Sequence, residues 1–317
     1  MSARRVTLIG GTGFIGTELA IRLAERFEEV RLPSRRAGRV REMRVLPNVR
    51  LIECDVHDAA AVRAVIDGSD VVVNLVGILN QSGAEAGKDS FDGAHVGLTD
   101  TVLAACESLG VPRYLHVSAL AADAQDGSSE YLRSKGRAEE RVRAAPASLA
   151  WTIFRPSIVF GRKDKFFNRF AGLLRALPVA FPLAVPEARM APVWVGDVIN
   201  MMDAAIDDPS QHGAIVPLCG PQEFTLRELV EYTAKTAGMK RRVIGLSDGL
   251  SRLQAKIMQR VPGKPFTMDN YDSLQTPIVC PDGCPRQPTS LDSVVPGYLG
   301  GKDAEGRLQD RREFARR

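Results

Sequence analysis

Three residues in the middle of the chain have the types and spacing to move a proton. Ser118 closes an aliphatic run, Tyr114–Val117. Tyr131 follows thirteen residues on, and Lys135 four residues after that. On a helix, positions i and i+4 share a face. A free phenol has a pKa near 10, too high for an efficient general acid/base at neutral pH. A lysine ammonium ~4 Å away stabilises phenolate by roughly 4 kcal/mol at an effective dielectric near 20, which is about three pK units. A serine hydroxyl beside the pair can orient a substrate oxygen. The expected catalytic set is Ser118, Tyr131 and Lys135, acting on a hydroxyl/carbonyl pair.

Such a set works only if a scaffold brings it together. In the first half of the chain, short β-branched or aliphatic runs recur at Val6–Ile9, Glu29–Leu32, Val49–Glu53, Asp70–Val76, Tyr114–Val117 and Trp151–Phe154. Helical patterns lie between them at Phe14–Phe27, Ala59–Ile66, Leu98–Leu109 and Tyr131–Ala144. Strands alternating with helices of this length predict a parallel sheet covered on both faces. Right-handed crossovers make it an α/β, doubly wound, Rossmann-type sheet.

Directly after the first strand stands Gly10-Gly11-Thr12-Gly13-Phe14-Ile15-Gly16. A tight strand-to-helix turn needs glycine where φ is positive, and glycine also lets a pyrophosphate approach the backbone. The helix that follows offers unpaired N–H groups and a partial positive charge to phosphate. Gly10, Thr12, Gly13, Phe14, Ile15 and Gly16 are therefore expected to bind a dinucleotide. Asp55 and Val56, after the third strand, are placed at the adenine. Asn74, Val76 and Gly77, ending the fourth, lie where cofactor-facing loops emerge.

Dinucleotide folds usually place an acid at the end of the second strand, on the ribose hydroxyls. Here Glu29–Leu32 is followed by Pro33, Ser34, Arg35 and Arg36. The whole chain has 42 Lys and Arg against 38 Asp and Glu, a net +4. Residues 31–44 alone hold six Arg and one Glu, a local +5. An Arg fork grips a phosphate through two hydrogen bonds. Ser34, Arg35 and Arg36 thus predict a 2′-phosphate site, and NADP(H) rather than NAD. No aromatic residues interleave with these arginines, so nucleic acid is not the expected partner.

Taken together these motifs resemble the short-chain dehydrogenase/reductase superfamily, in its extended or atypical, epimerase/dehydratase-like branch. The resemblance runs over nearly the whole chain. It implies that Ser118, Tyr131 and Lys135 are the family triad and that Tyr131 and Lys135 also touch the cofactor. It makes Arg155-Pro156 a turn beside the nicotinamide, with Pro156 a cofactor contact. Val193–Val198 is similar to the entry into a late helix of that branch. His95 stands where many members carry Asn, in His95-Val-Gly-Leu-Thr99. It is expected to be a polar core residue rather than a base. Arg155–Gly161 running into Lys163–Phe170 is similar to bacterial relatives of the nucleotide-binding accessory subunit of respiratory complex I. Members of that group are taken to bind NADPH; some look structural, and a related branch is linked to quinone biosynthesis. This resemblance implies a second reading, a non-catalytic NADPH-binding subunit at the edge of a membrane respiratory or quinone-pathway complex.

The 317 residues, 44% hydrophobic and 25% charged, exclude a disordered or fibrous chain. The expected organisation is a dinucleotide domain over 1–161, to which 193–220 return. A smaller substrate or partner lobe follows over 162–192 and 221–299, with a polar tail over 300–317. Thr225 and Glu228 predict a capping box opening a helix that stops at Gly238, and 248–261 is a second amphipathic helix. No run of about 18 apolar residues suggests a membrane span, and Leu173–Val185, broken by Arg175, Pro178 and Pro182, is expected to be a buried loop and turn. The absence of a signal-like start and the odd number of cysteines, five, point to a cytoplasmic chain with free thiols. Cys280 and Cys284 bracket a turn, without a second pair for metal. No residue names the small-molecule substrate.

Overall fold

The computed structural model describes residues 4–35, 41–81, 87, 90–177 and 179–300. The chain divides into two compact units, residues 1–156 with 198–218, and residues 157–197 with 219–317. In chain order the first contains β1 (Arg5–Ile9), α1 (Phe14–Ala24), β2 (Glu29–Ser34), β3 (Val49–Glu53), α2 (Ala59–Ile66), β4 (Val71–Asn74), α3 (Leu98–Leu109), β5 (Arg113–Val117), α4 (Glu130–Arg143) and β6 (Ala150–Pro156). Then come β7 (Val159–Phe160), α5 (Phe167–Ala176), β8 (Ala180–Leu183), β9 (Arg189–Met190), β10 (Val193–Trp194), α6 (Val195–Asp207) and β11 (Ala214–Leu218). The chain continues through β12 (Phe224–Thr225), α7 (Leu226–Thr236), β13 (Arg242–Gly245), α8 (Asp248–Met258), α9 (Met268–Ser273), α10 (Leu291–Val294) and α11 (Pro296–Leu299).

The first unit is built on a seven-stranded sheet in the order β11-β6-β5-β4-β1-β2-β3. Every neighbouring pair is parallel. The order reverses between β1 and β4, which is the topological switch point of a doubly wound sheet. Val6, Leu8, Val72, Val73, Leu115 and Ile153 are fully buried. That explains why these strands read as continuous apolar runs rather than alternating ones. Against one face, Val62, Ile66, Leu98, Val102, Cys106 and Tyr114 form a single cluster. Next to the edge strand β3, β2 runs on through Pro33 and Ser34, two residues beyond the apolar run. The amide of Val30 and the carbonyl of Ser34 bond the β3 side, so Pro33 faces the β1 side. The β1 ladder has ended there at Arg31, so the missing N–H costs no ladder bond.

The second unit has its own core, with Phe160, Phe167, Leu174, Met190, Leu229, Val230 and Val295 buried together. Thr225 caps α7, and its capping box with Glu228 is complete. Gly238 follows at φ 69°. Two expectations fail here. Leu173–Val185 is not a buried loop: it holds the last turn of α5 and strand β8, which pairs in parallel with β13. Leu177 and Val179 are exposed. The two prolines broke the apolar pattern, but Pro182 sits in a two-stranded pairing with an open edge, where proline is tolerated. The cysteines are not all free thiols either. Cys219 and Cys280 form a disulfide across 61 residues of sequence, while Cys54, Cys106 and Cys284 are free. Counting cysteines could not reveal that Cys219 and the 276–287 segment meet. Their meeting is also marked by Gln287 N–H donating to the Cys219 carbonyl at 2.8 Å. The expected turn at Cys280–Cys284 is present, closed by the Cys284 amide on the Pro281 carbonyl.

Candidate nucleotide and proton-transfer site

Gly10 follows β1 at φ 81°, a conformation few other residues adopt. A Cβ on Gly11 would come within 2.6 Å of Leu32 Cδ2, and one on Gly16 within 2.6 Å of Gly11 Cα. The turn is therefore a backbone cradle packed tightly on its own sheet. Gly13 is the N-cap of α1 and brings no capping side chain, and the first turn carries no acid. No side chain caps the first N–H groups of α1, the arrangement at which helix termini can take an anion. Thr12, Phe14 and Ile15 are half-buried around the same turn.

The other expected cofactor contacts sit at the carboxyl ends of the parallel strands. Ser34 is the last residue of β2, and Arg35 follows it, exposed. Arg36 lies outside the described residues. Not every arginine of the basic segment is available to a ligand: Arg31 donates to Glu29 at 3.0 Å and to the carbonyls of Val65 and Asp67. Asp55 and Val56 follow β3, half-buried, and Asp55 Oδ1 accepts the His57 amide. Asn74 ends β4, buried, where its amide donates to Thr99 Oγ1 and its carbonyl accepts the Val76 N–H at 3.1 Å. That contact shapes the Val76–Gly77 turn beside the switch point. Pro156 ends β6, and its carbonyl accepts the Leu120 amide.

Ser118 stands just past β5, and its amide donates to Phe154. Its Oγ is buried with no hydrogen-bond partner among the described residues. An orphaned buried hydroxyl costs stability, so its retention points to a use. Tyr131 and Lys135 lie on α4, opened by the side-chain cap of Ser129. Lys135 is 2% exposed and donates to the carbonyls of Val76 at 3.0 Å and Val117 at 2.9 Å. The ammonium thus ties the carboxyl end of β5 to the turn after β4. Burial pushes its pKa down to about 8, with the Glu139 carboxylate acting in the opposite direction. Glu139 is itself fully buried and receives Arg155 Nε at 2.8 Å. Tyr131 is half-buried, edge-on to His95 and Phe91 at ring distances of 5.7 and 6.0 Å.

His95 is a polar core residue, in a π-helical turn over Gly93–Gly97. Its Nε2 accepts the Ile78 amide at 3.1 Å, so the ring proton sits on Nδ1. Nδ1 donates to Ser134 Oγ at 2.8 Å, and that hydroxyl donates to the Tyr131 carbonyl at 2.9 Å. Burial, reinforced by the Lys135 charge, lowers the His95 pKa to about 2. The imidazole is neutral and joins the helix bearing Tyr131 to the loop after β4.

Residues 10–165 match the family described as NAD(P)H-binding. The seven-stranded parallel fold is also that of epimerases and dehydratases among solved structures. The chain is 32% identical over 231 residues to the mitochondrial NADH dehydrogenase [ubiquinone] 1 alpha subcomplex subunit 9 of Mus musculus, covering 71% of this chain and 59% of that one. The Arabidopsis thaliana protein of the same name is 29% identical over 96% of this chain and 78% of its own. A 2-alkyl-3-oxoalkanoate reductase of Stenotrophomonas maltophilia is 32% identical over 51% of this chain and 52% of its own. Among solved structures, the dTDP-glucose 4,6-dehydratase of Streptomyces venezuelae with NAD bound overlays with TM-score 0.65 at 23% identity, covering 77% of this chain and 85% of that one.

The NAD(P)-binding unit accommodates such a cofactor: the glycine cradle, the uncapped α1 terminus and the orphaned Ser118 Oγ all lie at carboxyl ends of its strands. Sequence reasoning missed Glu139 and Ser134. Glu139 stands at i+4 from Lys135, a visible helical spacing. Its partner Arg155 and the His95–Ser134 contact are long-range and left no local signal.

Proposed function

We propose that this chain is an NADP(H)-dependent oxidoreductase acting on the hydroxyl or carbonyl of a small molecule. The observation that carries the reading is the buried Lys135, on the helix of Tyr131 and hydrogen-bonded beside the unpartnered Ser118 Oγ. In it, the cradle Gly10–Gly16 and the α1 terminus hold a pyrophosphate, with Asp55 and Val56 at the adenine. Asn74, Val76, Gly77 and Pro156 border the nicotinamide half, and Ser34, Arg35 and Arg36 hold the 2′-phosphate. The bound nicotinamide supplies hydride transfer. Ser118 orients the substrate oxygen, and the Tyr131 hydroxyl gives or takes its proton. Lys135 keeps its third N–H for this site, and its charge lowers the cost of the phenolate. That charge is lost as pH rises through about 8, so the rate should fall on the alkaline side.

Calorimetric titration with NADPH and NADH tests the cofactor, and Tyr131→Phe tests the proton step. Tighter NADPH binding that Arg35→Ala/Arg36→Ala abolishes is expected, with turnover of a carbonyl substrate reduced roughly 10²-fold or more in Tyr131→Phe. Equal affinities sink the 2′-phosphate assignment, and undiminished turnover sinks the role of Tyr131.

A second reading, an NADPH-binding subunit without turnover at a membrane respiratory or quinone-pathway complex, is favoured by the names of the mitochondrial relatives. It places the chain at the inner face of the membrane. Co-purification with respiratory or quinone-pathway proteins, and nucleotide retained unreacted, are its expected results. A free monomer that turns over a carbonyl substrate refutes it.

A further inference from the structure

Helix α8 faces the wrong way for a core helix. Of its residues only Ser251 and Ala255 are buried. Leu250, Leu253 and Ile257 are 52%, 51% and 54% exposed. At 100° per residue these three fall within one 60° sector, away from Ser251 and Ala255. The buried side is fastened to the β8 strand and the turn after it: Ser251 Oγ accepts the Val185 amide at 3.2 Å, and Gln254 donates to the Pro182 carbonyl at 3.2 Å. The helix is thus held by one side and shows its aliphatic side outward. Val261, just past it, and Ile244 on β13 add to the exposed apolar set.

The charge around this face has one sign. From Gly249 to Thr267 there are four basic residues, Arg252, Lys256, Arg260 and Lys264, and no acid. Arg252 pairs with Asp248; Lys256, Arg260 and Lys264 are exposed. Where α8 ends, a cavity of about 620 Å³ opens between Pro262-Gly263 and α5, lined by Lys165, Asn168 and Arg169. Its one acid, Asp164, is already engaged by the Tyr298 hydroxyl and the Phe167 amide. Half-exposed aliphatic side chains on one face, basic side chains along the border and a basic cavity at the end match an interfacial helix lying on an anionic bilayer. Among the described residues no helix is long and apolar enough to cross one.

We propose that α8 is a membrane-docking surface: Leu250, Leu253 and Ile257 enter the headgroup boundary of an anionic bilayer, and Lys256, Arg260 and Lys165 meet its phosphates. A second copy of the chain would need acids opposite this basic border, whereas anionic lipid supplies them at every position. The inference stands apart from the proposed chemistry, since vesicles contain neither substrate nor respiratory complex.

The test is co-sedimentation of the full chain with phosphatidylcholine vesicles and with equimolar phosphatidylcholine/phosphatidylglycerol vesicles. Binding to the mixed vesicles is expected to be at least about tenfold tighter, since each basic residue near an anionic surface adds roughly fivefold. Lys256→Glu/Arg260→Glu should remove the preference for anionic lipid, and Leu253→Glu/Ile257→Glu should remove binding to both. Both variants should keep the parent's circular dichroism spectrum and urea unfolding midpoint, which shows that they are folded. In Leu253→Trp, tryptophan emission should shift to the blue on adding mixed vesicles. No vesicle binding, binding indifferent to these substitutions, concentration-dependent dimers through α8, or inorganic phosphate binding in the cavity without vesicle binding each overturns the proposal.

Discussion

Two buried histidines should make this protein acid-sensitive well above the carboxylate range. His95 and His116 are 2% and 1% exposed. Burial, with the Lys135 charge adding to it, lowers their pKa values from 6.5 to about 2 and about 3. Unfolding returns both to solvent. Between about pH 3 and 6.5 the unfolded chain then binds more protons than the folded one, so stability rises with pH over that window. At pH 5 each histidine costs about 2 kcal/mol relative to pH 7.5, at 1.36 kcal/mol per pK unit. Together they remove about 4 kcal/mol, a large part of the 5–15 kcal/mol typical of a folded domain. Carboxylates held low by ion pairs, such as Glu29 and Asp207, also lose stability on acidification, but chiefly nearer pH 4. The informative variant is His95→Gln with His116→Asn. A glutamine amide can accept from Ile78 and donate to Ser134, as the neutral imidazole does, without titrating. An asparagine can likewise meet the Tyr114 hydroxyl that faces His116 Nδ1. Urea unfolding followed by circular dichroism at pH 7.5 and pH 5 reads the difference. The parent should lose about 4 kcal/mol more than the double variant. Equal losses refute the claim that these imidazoles are buried and neutral.

Two further outcomes follow from local geometry. Gly16→Ala should leave the chain foldable at a cost of about 1–3 kcal/mol, the range for overpacking, and sharply weaken nucleotide binding. The added methyl meets backbone at Gly11 rather than a side chain that can swing away; retained NADPH affinity in calorimetry contradicts the cradle. Thiol titration of the denatured, unreduced protein should find three reactive cysteines, not five, with Cys219→Ser or Cys280→Ser raising the count to four. Losing this cross-link should cost about 4 kcal/mol on the loop-entropy account; five thiols in the unreduced parent refute the pairing.

The parallel sheet was legible because its evidence is local and repeated. Strands buried on both faces must be aliphatic throughout, and the helices between them must show a 3.6-residue stripe, so periodicity located β1 to β6 and α1 to α4 within a few residues. The glycine turn was legible for a similar reason: a tight turn against a sheet excludes Cβ atoms and leaves a compositional trace. The basic segment was only partly legible. Counting charges put +5 over residues 31–44, but contacts with Glu29 and with the carbonyls of Val65 and Asp67 withdraw Arg31 from any ligand.

What the sequence determined by itself was thus the class of fold, the glycine turn after β1 and the placing of Tyr131 and Lys135 on one helix. All depend on neighbours within a few residues along the chain. The tertiary structure decided the rest: that Lys135 donates to Val76 and Val117, that His95 is locked neutral between Ile78 and Ser134, and that Cys219 meets Cys280. It also decided that the amphipathic helix at 248–258 turns its aliphatic stripe outward. A helical stripe records only that one side of a helix is apolar. Which side is buried depends on what the chain packs there, and in α8 a serine and an alanine fill the close contact while the larger leucines and isoleucine face out.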